Sequence, residues 1–413
     1  MTEQSTAATL SEHWQQVYRR LHAHPELSGE EHATAALVAE ELRALPGWEV
    51  TENVGGTGVV GVLHSGPGPV IWLRADMDGL PVQEETGLDY ASTVPGVMHA
   101  CGHDVHVTAL LGTCAELAAN PLPGTVVALF QPAEETGSGA QGMLNDGLLE
   151  RFPHPRIVLG QHVGPLPAGL VLSKPGTLMA ASDSVRVTFL GKGGHASQPH
   201  TAIDPLLMAA SLVLRLQSLA ARQTATALSP VLTAGALHAG TRPNIIADTS
   251  EVLLSLRTFT DGSRNRMVEG IQRLAEAEAA AAGAPQEPKV EFYDHFPVTE
   301  NTPGDTERVL ASLSAANLPV MPMNHPITGS EDFGAFGTAA KVPSVFWHIG
   351  GIDPARFTEE DQIHMLTEGA LPERFPSNHS PHFAPDPALA LPAAITTMVT
   401  AARAELERPT MAE

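Results

Sequence analysis

The chain has 413 residues, 43% hydrophobic and 17% charged, which excludes an intrinsically disordered polypeptide; at about 150 residues per domain it suits two or three folding units. Its 23 basic and 46 acidic side chains leave a formal charge of −23, so it repels phosphate backbones and anionic lipid, and no basic patch offsets this. Two cysteines, Cys101 and Cys114, are too few for a disulfide framework.

The opening MTEQSTAATLSEHW lacks the basic start and apolar run of a secretory signal. The best apolar stretch, Ala388 to Ala402, is too short to span a membrane and is broken by Pro392. These features predict a soluble, cytoplasmic protein with neither a nucleic-acid nor a membrane partner. Ser28 followed by Glu31 reads as a capping box, and Ala33, Leu37, Val38, Leu42 and Leu45 recur at helical spacing, which predicts a helix over about residues 29–45. GVVGVLH and PVIWLRADMD then read as strands, the second nearly all apolar before it turns acidic, as a strand buried on both faces does. HVTALLGTCAELAAN reads as a helix, GTVVALFQPAEE as a buried strand ending in acid, and RIVLGQHV as a strand ending in histidine. Alternating strands and helices predict an α/β fold with a mixed, mostly parallel sheet.

The pattern changes near residue 180. DSVRVTFLG alternates as a half-buried strand does; DPLLMAASLVLRLQSLAAR, VLTAGALHA, SEVLLSLRTF, RNRMVEGIQRLAEAEAAAA and KVEFYD continue as helix, two strands, helix and strand. That order predicts a small ferredoxin-like α+β domain. The α/β pattern resumes at about residue 303 with GDTERVLASLSAAN, KVPSVFWHIGG and PALALPAAITTMVTAARAELE. The expected organisation is a discontinuous catalytic domain over 1–180 and 300–413, interrupted by a smaller domain over 181–299.

The 19 histidines are the compositional anomaly. In MHACGHD, Cys101, His103 and Asp104 fall within four positions, and a thiolate and an imidazole two residues apart in a glycine-containing turn can reach one ion, zinc or another late first-row metal. A C-x-H triplet also arises by chance. In FQPAEE, Glu134 and Glu135 follow a buried strand; neighbours at a strand end point in different directions, so one can ligate metal while the other acts as general base, or the pair is an acidic loop. GQHV places His162 after another strand, and SNHSPHF offers His379 and His382. Each is ambiguous alone, but successive strand ends deliver them to the carboxyl edge of one sheet, where α/β proteins place their sites. One thiolate, one carboxylate and three imidazoles exceed the needs of one tetrahedral ion and fit a pair, with hydrolysis as the expected chemistry.

MHACGHD, FQPAEE, GQHV, GKGGHASQPH, GTRPNIIAD, LRTF, GSEDF and NHSPHF, in this order, resemble the amidohydrolases that cleave hippurate, auxin–amino acid conjugates and other N-acyl amino acids. These are a branch of the metallopeptidase family that also holds aminoacylase and carboxypeptidase G. The resemblance runs from HAHPELSGEE near residue 22 to the end of the chain. It implies two divalent ions per chain, zinc or alternatively manganese, cobalt or nickel, held by Cys101, His103, Glu135, His162 and His379, with the Cys101 thiolate as bridge. Glu134 would be the general base towards the attacking water, and Asp76 or Asp78 would orient a ligand histidine. The smaller domain resembles the family's lid and dimerisation domain, which implies a homodimer formed through it. His195 would stabilise the oxyanion from the partner subunit, Asn244 would be a second polar group, and Arg257 would grip the carboxylate of the amino acid. The substrate is then an N-acyl amino acid. A dipeptidase or N-carbamoyl amino acid hydrolase of the same family is the runner-up, and a catalytically idle, metal-bound binding protein comes behind both.

His22 and His24 read as groups that fix a helix end and a turn, and His106 as satisfying a local hydrogen bond. His348 reads as packing at a strand end, and Glu331 and Asp332 as structural support. Cys114, among Leu110, Leu111 and Leu117, reads as a buried apolar side chain.

Overall fold

The structure, a computed structural model, describes residues 3–224, 229–368 and 371–409. The chain divides into two compact units, one of Met1–Leu178, Glu300–His325 and Asp332–Glu413, the other of Met179–Thr299 and Pro326–Glu331.

Helices α1 (Glu3–Ala23) and α2 (His32–Ala44) precede strands β1 (Trp48–Val54), β2 (Gly58–His64) and β3 (Val70–Asp76). Then come α3 (His103–Ala119), β4 (Thr125–Gln131), the short α4 (Gly139–Asn145) and α5 (Leu148–Arg151), β5 (Ile157–Pro167), β6 (Val171–Ser173) and β7 (Gly176–Met179). The second unit carries β8 (Ala181–Leu190), β9 (Gly194–His195), α6 (Pro205–Arg222), β10 (Val231–Ala239), β11 (Ile245–Ile246), β12 (Thr249–Thr258), α7 (Asp261–Ala282) and β13 (Lys289–Phe296). The chain continues through β14 (Thr299–Asn301), α8 (Pro303–Ala315), β15 (Val320–Pro322), α9 (Gly334–Ala340), β16 (Ser344–Ile352), α10 (Glu359–Glu368) and α11 (Pro387–Glu407).

The first unit is built on an eight-stranded sheet of order β1-β2-β4-β3-β5-β16-β6-β15. Its centre, β4, β3, β5 and β16, is parallel, while β1 and β2 pair antiparallel on one side and β6 runs antiparallel to β16. The apolar runs dictate this: β4 and β16 are buried at every position, which only strands covered on both faces tolerate. α3 and α11 pack on each other beside the sheet, and Tyr18, Leu42, Ile71, Leu110, Phe130, Trp347 and Met398 belong to one buried cluster. The polar residues that end these strands, Asp76 on β3 and Gln131 on β4, come to the carboxyl edge with His162 of β5.

The start of α2 differs from the capping-box expectation. The helix begins at His32, and the first-turn N–H groups of Ala33 and Thr34 donate to the Glu26 carboxylate at 3.0 and 2.8 Å. Ser28 and Glu31 turn instead towards the sheet edge. α11 spans the expected segment; Asp386 caps it by accepting from the Ala388 N–H at 2.9 Å, and Pro392 lies in its second turn without ending it. No helix among the described residues is long and apolar enough to cross a membrane.

The second unit is an antiparallel sheet of order β10-β12-β8-β13, reached in the sequence order strand, helix, strand, strand, helix, strand. α6 and α7 bury Met208, Leu212, Leu216, Met267 and Ile271 against Val185, Val187, Val252 and Leu254. Asp204 and Thr260 cap their N-termini, and Gly283, at φ +68°, ends α7.

Candidate metal centre

Three local turns aim the donors in the first unit. Gly102 stands between Cys101 and His103 at φ +87° as the residue before α3, and a Cβ there would lie 2.4 Å from Cγ1 of Val163. Glycine alone lets this turn close against β5. Ala133, at φ +49°, re-aims the chain leaving β4 so that Glu134 and Glu135 diverge. His379, at φ +68°, sits in the loop before α11.

These turns gather six side chains. Cys101 Sγ lies 3.3 Å from His162 Nε2, and Glu135 Oε1 lies 3.8 Å from His103 Nε2 and 3.4 Å from His379 Nε2. Cys101, His103 and His162 form one group with donor atoms within 4.8 Å of one another; Cys101, Glu135 and His379 form a second, and His103, Glu134 and Glu135 a third. Cys101, His103 and Glu134 are buried, Glu135 and His162 half-buried, and His379 exposed. His382 stands apart, its Nδ1–H donating to the Glu85 carbonyl at 3.0 Å.

The donor set fits divalent ions on two observations. His103 Nε2 and Glu135 Oε1 are buried without a hydrogen-bond partner, 3.8 Å apart, as free donor atoms facing a cation would be. The electrostatics agree. Burial opposes a charge on His103, yet Asp76, Asp78 and Glu135 push it up to about 10. Burial pushes the Cys101 thiol up, and Glu135, Glu134 and Asp76 push it further, while burial holds His162 down as a neutral ring. The cluster thus carries surplus negative potential that a divalent cation neutralises.

Of Asp76 and Asp78, it is Asp78 that hydrogen-bonds the His103 ring, while Asp76 Oδ2 lies 3.6 Å from His103 Nε2. Asp78 Oδ1 accepts from His103 Nδ1 at 3.2 Å, leaving Nε2 for a ligand, and its Oδ2 accepts from Ser28 Oγ at 2.7 Å and the Glu135 N–H at 3.0 Å. Asp76 reaches further back: His106 Nδ1–H donates to it at 2.5 Å, and His106 Nε2 accepts the Val163 N–H at 2.7 Å, so His106 ties α3 to the end of β5. Arg74, fully buried, donates to Asp76 at 2.7 Å, Asp332 at 3.1 Å and Gln131 at 2.8 Å. Glu31, also fully buried, accepts from the N–H groups of Gly29 and Ala133, both at 2.8 Å, and from Thr57 Oγ1 at 2.5 Å. It therefore holds the left-handed turn that presents Glu134.

His24 follows its expectation, its Nδ1 donating to the Arg20 carbonyl one turn back in α1. His22 does more than end a helix: it is buried between Asp104, at 2.7 Å, and Glu84, at 3.2 Å. His348 and Cys114 are buried in β16 and α3. Sequence reasoning did not single out Gln131 or Asn378, and it read Glu31 only as a cap; proximity to the chemical motifs was their one sequence signal.

The remaining expected site residues belong to the second unit. His195 is exposed in β9, and its Nδ1 accepts the Ser197 N–H at 3.1 Å, which leaves the proton on Nε2. With Asn244, Gly194, Thr241 and Ile245 it lines a cleft of about 580 Å³. Arg257, on β12, is not among the residues lining that cleft; its Nη1 donates to Ser330 Oγ at 2.6 Å.

A family model described as Peptidase family M20/M25/M40 matches residues 72–373. Thermostable carboxypeptidase 1 of Saccharolobus solfataricus is 37% identical over 342 residues, 81% of this chain and 85% of that protein. The hippurate hydrolase of Campylobacter jejuni is 39% identical over 339 residues, 81% of this chain and 87% of that protein. A solved Bacillus subtilis structure described as a dinuclear metal binding peptidase of the M20 family matches with a TM-score of 0.76 at 29% identity, covering 96% of this chain and 99% of that one.

Proposed function

The chain belongs to peptidase family M20/M25/M40 and is a metal-dependent amidohydrolase, and from that premise we propose that it hydrolyses N-acyl amino acids to a carboxylic acid and an amino acid. The observation that carries the proposal is the convergence of one thiol, one carboxylate and three imidazoles beside a buried second carboxylate, Glu134. A relative named for hippurate, an N-acyl glycine, supports the substrate class.

In this reading Cys101, His103, Glu135, His162 and His379 hold two divalent ions, zinc by the softness of the donor set. Bound there, such ions polarise a carbonyl and acidify water. Glu134 is the general base: its carboxylate removes a proton from the water that attacks the amide carbon and returns that proton to the nitrogen as the C–N bond breaks. Burial keeps Glu134 away from bulk solvent, which limits loss of that proton to water. His195 carries its proton on Nε2 and is assigned, with Asn244, to the developing oxyanion; Arg257 is assigned to the product carboxylate.

The second unit is proposed as the family's lid and dimerisation domain. β10 is an edge strand of its sheet, with Val231 and Leu237 exposed along it, and Leu207 and Leu214 on α6 are 65% and 75% exposed. A homodimer through this unit covers that surface.

The test is release of free amine by purified, metal-reconstituted protein across N-acetyl, N-benzoyl, long-chain acyl and indole-acetyl amino acids, with dipeptides and N-carbamoyl amino acids alongside. Turnover on N-acyl amino acids that a chelator abolishes is the expected result. Turnover confined to dipeptides or carbamoyl compounds would transfer the assignment to those substrates, and a chelator-resistant activity would remove the metals from the chemistry.

A further inference from the structure

Three of the donor-bearing segments are far apart in sequence, and one side chain touches the backbone of two of them while adjoining the third. The two N–H groups on Asn378 Nδ2 serve two carbonyl oxygens, Cys101 O at 2.9 Å and Val163 O at 3.2 Å. Cys101 is itself a donor, and Val163 follows His162. The Val163 oxygen also accepts the Nδ1–H of His162 at 2.8 Å, so the group that sets the His162 ring is the one Asn378 grips. The next residue, His379, donates its N–H to Ala100 O at 2.8 Å and is left-handed at φ +68°, a conformation uncommon outside glycine.

We propose that Asn378 is a positioning residue of the metal centre, clamping the backbones that present Cys101, His162 and His379 at their mutual spacing. The inference rests on the metal-centre reading above. An amide suits the task because it offers two coplanar donors and no charge. An aspartate would set a carboxylate against two carbonyl oxygens beside a cluster that is already acidic, and a serine keeps one donor of shorter reach.

The experiment uses the full-length apo-protein, wild type beside Asn378→Ala, Asn378→Ser and Asn378→Asp, titrated with cobalt(II). The thiolate-to-cobalt charge-transfer band reports the Cys101 environment, the d–d bands report ligand geometry, and circular dichroism of the apo-protein reports the fold. Expected are two ions in the wild type, and in the variants a roughly 10–100-fold weaker affinity at one ion or both. The charge-transfer band should be altered and the apo spectrum unchanged, with Asn378→Ser intermediate. Wild-type stoichiometry, affinity and bands in all three variants would overturn the clamp. Failure of all three apo-variants to fold would also overturn it, making Asn378 a folding determinant. A wild type that binds no cobalt sinks the metal-centre reading itself and is distinguishable because it precedes any comparison of variants.

Discussion

Glu31 offers a sharp test of how the fold sets the chemistry, because it touches neither substrate nor donor. Left-handed backbone costs an alanine about 1–2 kcal/mol, and Ala133 adopts it at φ +49°. The carboxylate bond from Glu31 to the Ala133 N–H, of a kind that contributes about 1.5–3 kcal/mol, offsets that strain. Glu31→Ala removes it and also leaves the buried Thr57 hydroxyl without its acceptor, while the exposed Gly29 N–H turns to water. Two buried groups left without an acceptor, and a cavity, predict a destabilisation of about 2–5 kcal/mol, and relaxation of the turn moves Glu134 by enough to lower turnover about 100-fold. Glu31→Gln keeps an oxygen for the two backbone donors, and its NH2 meets a Thr57 hydroxyl that can turn to accept. It should lose no more than about 1 kcal/mol and stay within tenfold in turnover. Urea unfolding of the apo-protein and steady-state kinetics measure both. Equal damage in the two variants would refute the argument, since it would place the effect in the charge of Glu31 and not in the turn it holds.

Glu134→Gln should retain both metals and lose about 10²–10⁴ in kcat, or about 2.7–5.4 kcal/mol of transition-state stabilisation, as loss of a general base does. Metal analysis beside kinetics checks it, and near-normal turnover removes Glu134 from the role. Arg74→Met leaves Asp76 and Asp332 without their shared guanidinium and should destabilise the first unit by about 3–5 kcal/mol; a loss under about 1 kcal/mol in denaturant unfolding contradicts this. Burial opposes a charge on His22, but Asp104 and Glu84 outweigh it and push it up to about 9 from an ordinary 6.5. A raised value means the stabilisation is complete below pH 6.5 and is lost as the pH rises through 9, up to about 3 kcal/mol in all. The stability gap between wild type and His22→Gln, measured on the apo-protein, should therefore narrow from pH 6 to pH 10, and a constant gap rules the argument out.

The sheet was legible because its central strands are buried on both faces, so VVALF and SVFWHI had no alternative to being apolar throughout. The start of α11 was legible because Asp386 and Pro387 form a local start signal. What stayed hidden is non-local. The start of α2 was misplaced because its capping carboxylate comes from Glu26, outside the window a capping box inspects. Asp76 and Asp78 are two residues apart on one motif, and only the position of His103 distinguishes them. Asn378 acts through backbone carbonyls, which leave no trace in side-chain chemistry at all.

The exposure of His379 bears on how the centre fills and empties. Cys101, His103, Glu135 and His162 lie within a 62-residue stretch of sequence, whereas His379 arrives 217 residues after His162 and is the one exposed member of the set. Of the five proposed donors, His379 is therefore the last that synthesis supplies. In the proposed centre solvent and chelators meet this donor first, while the bonds of Asn378 to Cys101 and Val163 and of the His379 N–H to Ala100 tie its loop to the other donor segments.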